Sequence, residues 1–219
     1  MKSNTNKAPI FAISRLRMGT DGAGITTLVT FMGCPLRCKY CLNEKCHEPI
    51  HTNNGQDLQK GVMLLSPTEL YDLVKIDNLY FQSTGGGICF GGGEPTLYPE
   101  FIEEFKSLCG DKWKITLETS LHCSYNVIHR LSKVVDYWFV DIKSMDSEVY
   151  FAYTDVRSAV EQHLISLKQC VPNERITIKV PIIPGFSTEN DAERTVKEIN
   201  VRFEFSNIIP TQYIIKHHE

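Results

Sequence analysis

Strand-like and helix-like segments alternate along most of this chain, and this alternation restricts its fold more than any other feature. Residues 25–32 are apolar and rich in β-branched side chains, which predicts a strand. Ser66 and Glu69 frame a capping box with Pro67 at the first helical position, so a helix is predicted from there to about residue 78. The pattern then repeats, with further strands predicted at 87–90, 113–119, 134–142, 175–183 and 203–209, and further helices at 99–108, 125–133, 159–170 and 188–200.

Repeated strand–helix units predict a parallel α/β sheet or barrel. A closed eight-unit barrel takes about 250 residues, whereas this chain of 219 has room for roughly six units. We therefore expect an α/β fold with an incomplete (β/α)6-type barrel and a mostly parallel sheet. One domain is expected over residues 19–212, with an N-terminal extension over 1–18 and a C-terminal tail over 213–219. The polar stretch 42–61 is predicted to be a long loop.

The composition, with 42% hydrophobic and 22% charged residues, excludes a disordered chain, a collagen and a coiled coil. A net charge of −3 gives no basic footprint for nucleic acid or for an anionic membrane surface. No apolar run reaches the about 18 residues that span a bilayer. The polar N-terminus lacks the apolar segment of a signal peptide. We therefore expect a cytoplasmic protein whose thiols are reduced.

Eight cysteines in a reducing compartment indicate metal or redox chemistry rather than disulfides. Cys34, Cys38 and Cys41 lie within eight residues, in the loop after the first predicted strand. Three thiolates on an iron–sulfur cubane leave one iron with an open coordination position, because each iron usually takes one cysteine. A zinc site completed by Cys46 or His47 is the alternative. The position at a strand end, where α/β proteins bind ligands, favours the cluster.

The run from Cys34 through Cys38 and Tyr40 to Cys41 has the spacing C-x3-C-x-aromatic-C, which resembles the signature of the radical S-adenosylmethionine (radical SAM) superfamily. The resemblance implies a 4Fe–4S cluster on the three cysteines. It also implies that S-adenosylmethionine (SAM) chelates the fourth iron through its amino and carboxylate groups. Residues 91–95, GGGEP, follow the next predicted strand and resemble the superfamily element whose backbone receives the SAM amino group. By itself a glycine triplet after a strand predicts only a turn.

Further motifs resemble the glycyl radical enzyme activases, the group that includes pyruvate formate-lyase activating enzyme. Residues 21–24, DGAG, resemble their lead-in to the first strand, Asp141 and Lys143 their fourth-strand element, and Lys179 their fifth-strand basic residue. Asp141 and Lys143 are two apart on a predicted strand and share a face, which an internal ion pair would also explain. The resemblance implies these SAM-site residues: Tyr40, Leu42, Gly92, Gly93, Glu94, Thr119, Asp141, Lys143, Lys179 and Gln212.

Several positions depart from the activase pattern. Leu42 and Gln212 stand where histidines are expected, and Lys179 stands for an arginine, although lysine cannot make a bidentate fork. Glu118 begins a Glu-Thr-Ser run where the family has Asp-Thr-Asn. In the family this run, with the aspartate of the next strand, here Asp141, helps to hold a monovalent cation beside SAM. The resemblance therefore suggests such a cation as a third cofactor.

The implied activity is reductive cleavage of SAM to methionine and a 5′-deoxyadenosyl radical, which abstracts a hydrogen atom. We expect that hydrogen to come from a glycine of a glycyl radical enzyme. Reduced flavodoxin or ferredoxin is expected to supply the electron, and the enzyme is expected to be a monomer. A radical SAM maturase of a ribosomally made peptide is the alternative, and a non-catalytic zinc-binding module is a third hypothesis. No side chain is predicted to act as a catalytic acid or base.

Overall fold

The computed structural model describes residues 6–53 and 55–213. The strands are β1 Ala8–Met18, β2 Ile25–Phe31, β3 Met63–Leu65, β4 Gly87–Gly92, β5 Lys114–Thr119, β6 Tyr137–Asp141, β7 Ile176–Ile182 and β8 Ile208–Gln212. The helices are α1 Pro67–Val74, α2 Asn78–Thr84, α3 Pro99–Cys109, α4 Tyr125–Leu131, α5 Ser147–Thr154, α6 Val160–Cys170 and α7 Glu189–Phe203. All eight strands form one sheet in the order β3-β1-β2-β4-β5-β6-β7-β8.

Six of these strands, from β2 through β4, β5, β6 and β7 to β8, are parallel neighbours. Helices connect each of these six strands to the next, so the predicted α/β class with a mostly parallel sheet is confirmed. β1 is antiparallel to β2, and β3 is antiparallel to β1. The sheet runs from β3 to β8 without a pairing of those two strands in the described part of the chain, so the barrel is incomplete.

The two faces of the parallel strands have different surroundings. Phe31 of β2 and Phe90 of β4 are buried and meet Phe101 of α3 edge-on, with ring centroids 5.5 and 6.4 Å from the Phe101 ring. Because side chains alternate along a strand, the residues next to these phenylalanines face the barrel interior. Thr30 and Gly91 are paired on this interior face. The interior of the barrel is therefore polar here, whereas the opposite face of the strands packs against the helices through apolar side chains.

The predicted N-terminal extension contributes a strand, β1, to the sheet. The second half of β1 carries Arg15 and Arg17, and its pairing with β2 is interrupted by a register shift between Ser14 and Arg17. Arg15 donates two hydrogen bonds, of 2.7 and 2.5 Å, to the fully buried carboxylate of Asp77, and Arg17 pairs with the buried Asp21. These partners hold the charged half of β1 in place. The predicted C-terminal tail lies outside the described residues except for Tyr213.

Four other parts of the chain differ from the prediction. The helix predicted to residue 78 is α1, a 3-10 turn and α2, while β3 and α5 were not predicted at all. The last strand was wrongly placed at 203–209. Phe203 ends α7, because Glu204 closes the helix with a left-handed backbone (φ 57°) and both Phe203 and Phe205 pack into the core. No helix among the described residues is long and apolar enough to cross a membrane.

Candidate functional site

The sequence motifs meet at one edge of the sheet, where the parallel strands end. The cysteine loop follows β2, and GGGEP closes β4. Thr119 ends β5, Asp141 ends β6 and Gln212 ends β8, while Lys179 lies in β7 directly opposite Asp141. Carboxyl ends of parallel strands are where α/β folds place their ligands. The topology therefore assembles one candidate site from segments that are far apart in the sequence.

The end of α5 holds the cysteine loop through backbone contacts. Tyr153 donates its hydroxyl to the carbonyl of Tyr40 (3.0 Å) and accepts at its own carbonyl from the Lys39 amide (2.9 Å). The Arg37 amide donates to the carbonyl of Thr154 at 2.9 Å.

Sequence reasoning missed helix α5 although the sequence carries a signal for it. Asp146 caps it, and the side chains that it buries, Tyr150, Tyr153 and Thr154, have helical spacing.

The three predicted cluster thiols lie near enough for their charges to influence one another. Burial raises the pKa of Cys34 to about 12, with the nearby Glu94 carboxylate as the next cause, and burial raises the pKa of Cys38 to about 11. Charges on the neighbouring thiols, Cys41 among them, add to both shifts. A bound metal reverses this penalty, because it takes thiolates and displaces their protons. The donor set therefore fits a thiolate-ligated cluster.

Cys41 also lies beside two residues outside the C-x3-C-x2-C run. The ligand atoms of Cys41, Cys46 and His47 all lie within 4.8 Å of one another. A hydrogen bond from the Cys46 thiol lowers the pKa of Cys41 and raises that of Cys46. The structure thus places both candidates for the fourth zinc ligand beside Cys41, although Cys34 and Cys38 are not part of this three-residue group.

The glycines of GGGEP bring that loop directly against the cysteine loop. The Gly93 amide donates to the Phe31 carbonyl (2.9 Å), and the Glu94 amide donates to the Gly33 carbonyl (2.8 Å). A Cβ atom on Gly93 would lie 2.1 Å from the Gly33 oxygen. Gly92 has φ +87°, and a Cβ there would lie 2.5 Å from the Cβ of Thr30. Only glycine allows this approach, so the two loops are fixed relative to each other.

Glu94 is a buried hydrogen-bond centre at the base of this loop. Its carboxylate accepts from the amide and hydroxyl of Thr96 (3.2 and 2.8 Å) and from the hydroxyl of Thr119 (2.6 Å). It also accepts from the amide and hydroxyl of Ser120 (2.9 and 2.5 Å). Glu94 and Thr119 were both predicted to contact SAM. In the structure, the Glu94 carboxylate and the Thr119 hydroxyl bond to each other and so join the ends of β4 and β5.

Asp141 and Lys143 form an ion pair within the site. Lys143 is buried, and although burial alone would lower its pKa, the Asp141 carboxylate raises it above the ordinary value. The Lys143 ammonium also donates to the hydroxyl of Tyr213 at 2.9 Å, and the Tyr213 ring stacks on Tyr40 with centroids 6.0 Å apart. Asp141 Oδ1 is buried without a hydrogen-bond partner among the residues that the structure describes. Such an atom fits a donor group from a bound molecule.

The remaining predicted residues differ in placement. Lys179 donates to Glu118 Oε1 at 2.6 Å, so these two residues are joined across β6. Leu42 is 46% exposed on the loop after Cys41, and the side chain of Gln212 is exposed. Beside Gln212, it is Tyr213 whose hydroxyl reaches Lys143. Sequence reasoning missed Tyr213, because a single tyrosine in a terminal segment carries no pattern.

Comparison with known proteins gives consistent results. A family model described as the radical SAM superfamily matches residues 28–199. Choline trimethylamine-lyase activating enzyme of Oleidesulfovibrio alaskensis is 26% identical, over 88% of this chain and 77% of its own length. Pyruvate formate-lyase-activating enzyme of Clostridium pasteurianum is 34% identical over 61% of this chain and 52% of its own. Streptococcus suis SuiB, solved with precursor peptide SuiA, shares the fold at TM-score 0.59 and 17% identity. The match covers 85% of this chain and 39% of the SuiB chain.

Proposed function

This chain belongs to the radical SAM superfamily, and from that membership we propose that it is the activating enzyme of a glycyl radical enzyme. The observation that carries the proposal is the similarity to an activating enzyme over 88% of the chain. The DGAG lead-in supports it. Asp21 is buried against Arg17, and a Cβ on Gly22 would lie 2.7 Å from Thr116 Oγ1, so the motif packs closely against β5.

The superfamily uses a 4Fe–4S cluster and SAM, which together supply a 5′-deoxyadenosyl radical. We assign the cluster to Cys34, Cys38 and Cys41, whose partly buried thiols would give up their protons when they bind a metal. Superfamily membership favours iron–sulfur over zinc at these thiols. Cys46 then acts as a neighbour that hydrogen-bonds Cys41 rather than as a ligand.

SAM is assigned to the space between the GGGEP loop and the ends of β5 and β6. The backbone of Gly92 and Gly93 borders it, Asp141 Oδ1 offers an unused acceptor, and Lys143 offers a positive charge for a carboxylate. Tyr40 and Tyr213 stack at one side of Lys143. Glu94 and Thr119 are positioning residues that hold the glycine loop.

Asp141→Asn and Lys143→Met are each expected to weaken SAM binding by about 1–3 kcal/mol, the usual cost of losing a charge-assisted hydrogen bond. Calorimetric titration of the reconstituted protein measures this. Lys168→Met is the matched control, because it removes a lysine from an exposed ion pair with Glu204 far from these motifs along the chain. Unchanged affinity in both site variants would leave Asp141 and Lys143 as a purely structural ion pair.

The substrate is proposed to be the Cα–H bond of a glycine in a protein partner. The likeness to SuiB shows a fold and gives no support to a peptide substrate at 17% identity. An incomplete sheet leaves a side through which a protein loop can reach the site. Reduced flavodoxin or ferredoxin as electron donor, a monomeric state and a cytoplasmic location belong to the same proposal. The eight free cysteines agree with a reducing compartment.

The deciding experiment combines the reconstituted protein, SAM, a reductant and the glycyl radical enzyme encoded near its gene. We expect a glycyl doublet in the electron paramagnetic resonance spectrum of the partner, dependent on SAM and lost with Cys38→Ala. The partner with its radical glycine changed to alanine is the matched control. If only short precursor peptides are encoded nearby, and these gain a crosslink or an inverted residue, the maturase alternative is correct.

A further inference from the structure

The ammonium group of Lys179 is a fixed positive charge inside the site. It donates to Glu118 Oε1 at 2.6 Å and lies 4.5 Å from the centroid of the Phe139 ring. The strand register places Lys179 directly opposite Asp141 on the neighbouring strand, so both side chains leave the sheet on the same face. An ion pair and a ring contact together hold the lysine in one place.

Gly91 helps to fix the partner of that lysine. A Cβ on Gly91 would lie 3.2 Å from Glu118 Cβ and 3.4 Å from Glu118 Oε2. Glu118 therefore lies against the bare backbone of β4, and its other oxygen reaches Lys179. The side chains of Lys179 and Glu118 are 27% and 30% exposed, so the pair is accessible to a bound molecule.

A monovalent cation, which the resemblance suggested at Glu118 and Asp141, does not fit these residues. Hard cations are held by several oxygen ligands. Here Glu118 Oε1 is paired with Lys179 and Asp141 Oδ2 with Lys143, and the Thr119 hydroxyl donates to Glu94 while it accepts from the Leu121 amide. Of the Asp141 and Thr119 side chains, Asp141 Oδ1 alone lacks a partner among the described residues, and one such oxygen is too few for a hard cation. A metal cation at the two carboxylates would meet two ammonium groups, which repel it.

We infer that the Lys179 ammonium takes the place of the monovalent cation, so that SAM binds to this protein without Na⁺ or K⁺. This inference rests on the proposed SAM-binding function. Lysine carries the same single charge and adds hydrogen-bond donors. Glu118 and Phe139 hold Lys179 on the face of the sheet that also carries Asp141. Asp141 Oδ1 then remains available to a donor on SAM.

The test measures SAM binding to the cluster-reconstituted protein by calorimetry. One buffer contains tetramethylammonium as its only cation, and the others also contain about 100 mM K⁺ or Na⁺ at the same ionic strength. The wild-type dissociation constant is expected to change by less than about twofold between these buffers. Lys179→Met is expected to bind SAM about tenfold more weakly without K⁺ or Na⁺ and to recover most of this loss when either is added. The recovery follows because Glu118 is then free to hold the cation.

Three further variants sharpen the result. Lys179→Arg keeps the charge and should stay independent of K⁺ and Na⁺. The double variant Lys179→Met/Glu118→Gln has no free carboxylate and should not recover with K⁺. Lys197→Met, on an exposed position of α7, should behave as wild type. If the wild-type protein binds SAM only with K⁺ or Na⁺, the inference is overturned but the proposed function is not. The same holds if the Lys179→Met variant binds SAM normally without these ions. Wild-type protein that binds SAM in none of the buffers overturns the proposed function as well.

Discussion

Alanine at Cys34, Cys38 or Cys41 is expected to remove the cluster and with it all reductive cleavage of SAM. Cys34 and Cys38 lie near enough to Cys41 for its charge to raise their pKa values, and a cubane with only two protein thiolates has two exposed irons. Anaerobically reconstituted wild-type protein should hold about four irons per chain, and each variant should hold less than about one. Iron and sulfide analysis, with absorption spectra, measures this without any substrate.

Cys46→Ala is the matched control for these three variants. Cys46 is buried and contacts Cys41, so its removal takes away one thiol hydrogen bond and leaves the assigned ligands in place. It should retain its iron and still cleave SAM. Loss of the cluster in this variant would make Cys46 a ligand, and one zinc without iron in the wild type would restore the zinc-binding hypothesis.

Glu94→Gln is expected to lower the free energy of unfolding by about 2–5 kcal/mol, because hydrogen bonds to a charged group contribute about 1.5–3 kcal/mol each. The side chain keeps its size, but one carboxylate oxygen becomes an NH₂ group that cannot accept. Glu94 has donors on both of its oxygens, so either orientation of the amide turns a donor towards Ser120 or towards Thr96 and Thr119. Urea unfolding of the cluster-free protein measures the loss.

The same variant should also weaken SAM binding, because Glu94 ties the glycine loop to the end of β5. Glu104→Gln, at an exposed position of α3, is the control and should change stability by no more than about 0.5 kcal/mol. Equal stability of Glu94→Gln and Glu104→Gln would show that the buried carboxylate contributes no net stabilisation.

The sequence by itself determined the fold class and the place of the site. Hydrophobic periodicity and helix caps are local properties, so a segment of a few residues is enough to predict them. Ser66 and Glu69 do form the predicted capping box, with bonds of 3.2 Å and 2.7 Å. Motifs placed just after predicted strands had to meet, because parallel strands end at one edge of a sheet.

Only the tertiary structure decided which polar groups contact one another. Arg15 and Asp77 are 62 residues apart, Glu94 and Thr119 are 25 apart, and Tyr153 reaches back 113 residues to Tyr40. Such contacts depend on strand order and register, and no local pattern encodes either of them. For that reason the sequence identified Glu94 as a residue of the site but could not show that its carboxylate joins two strands.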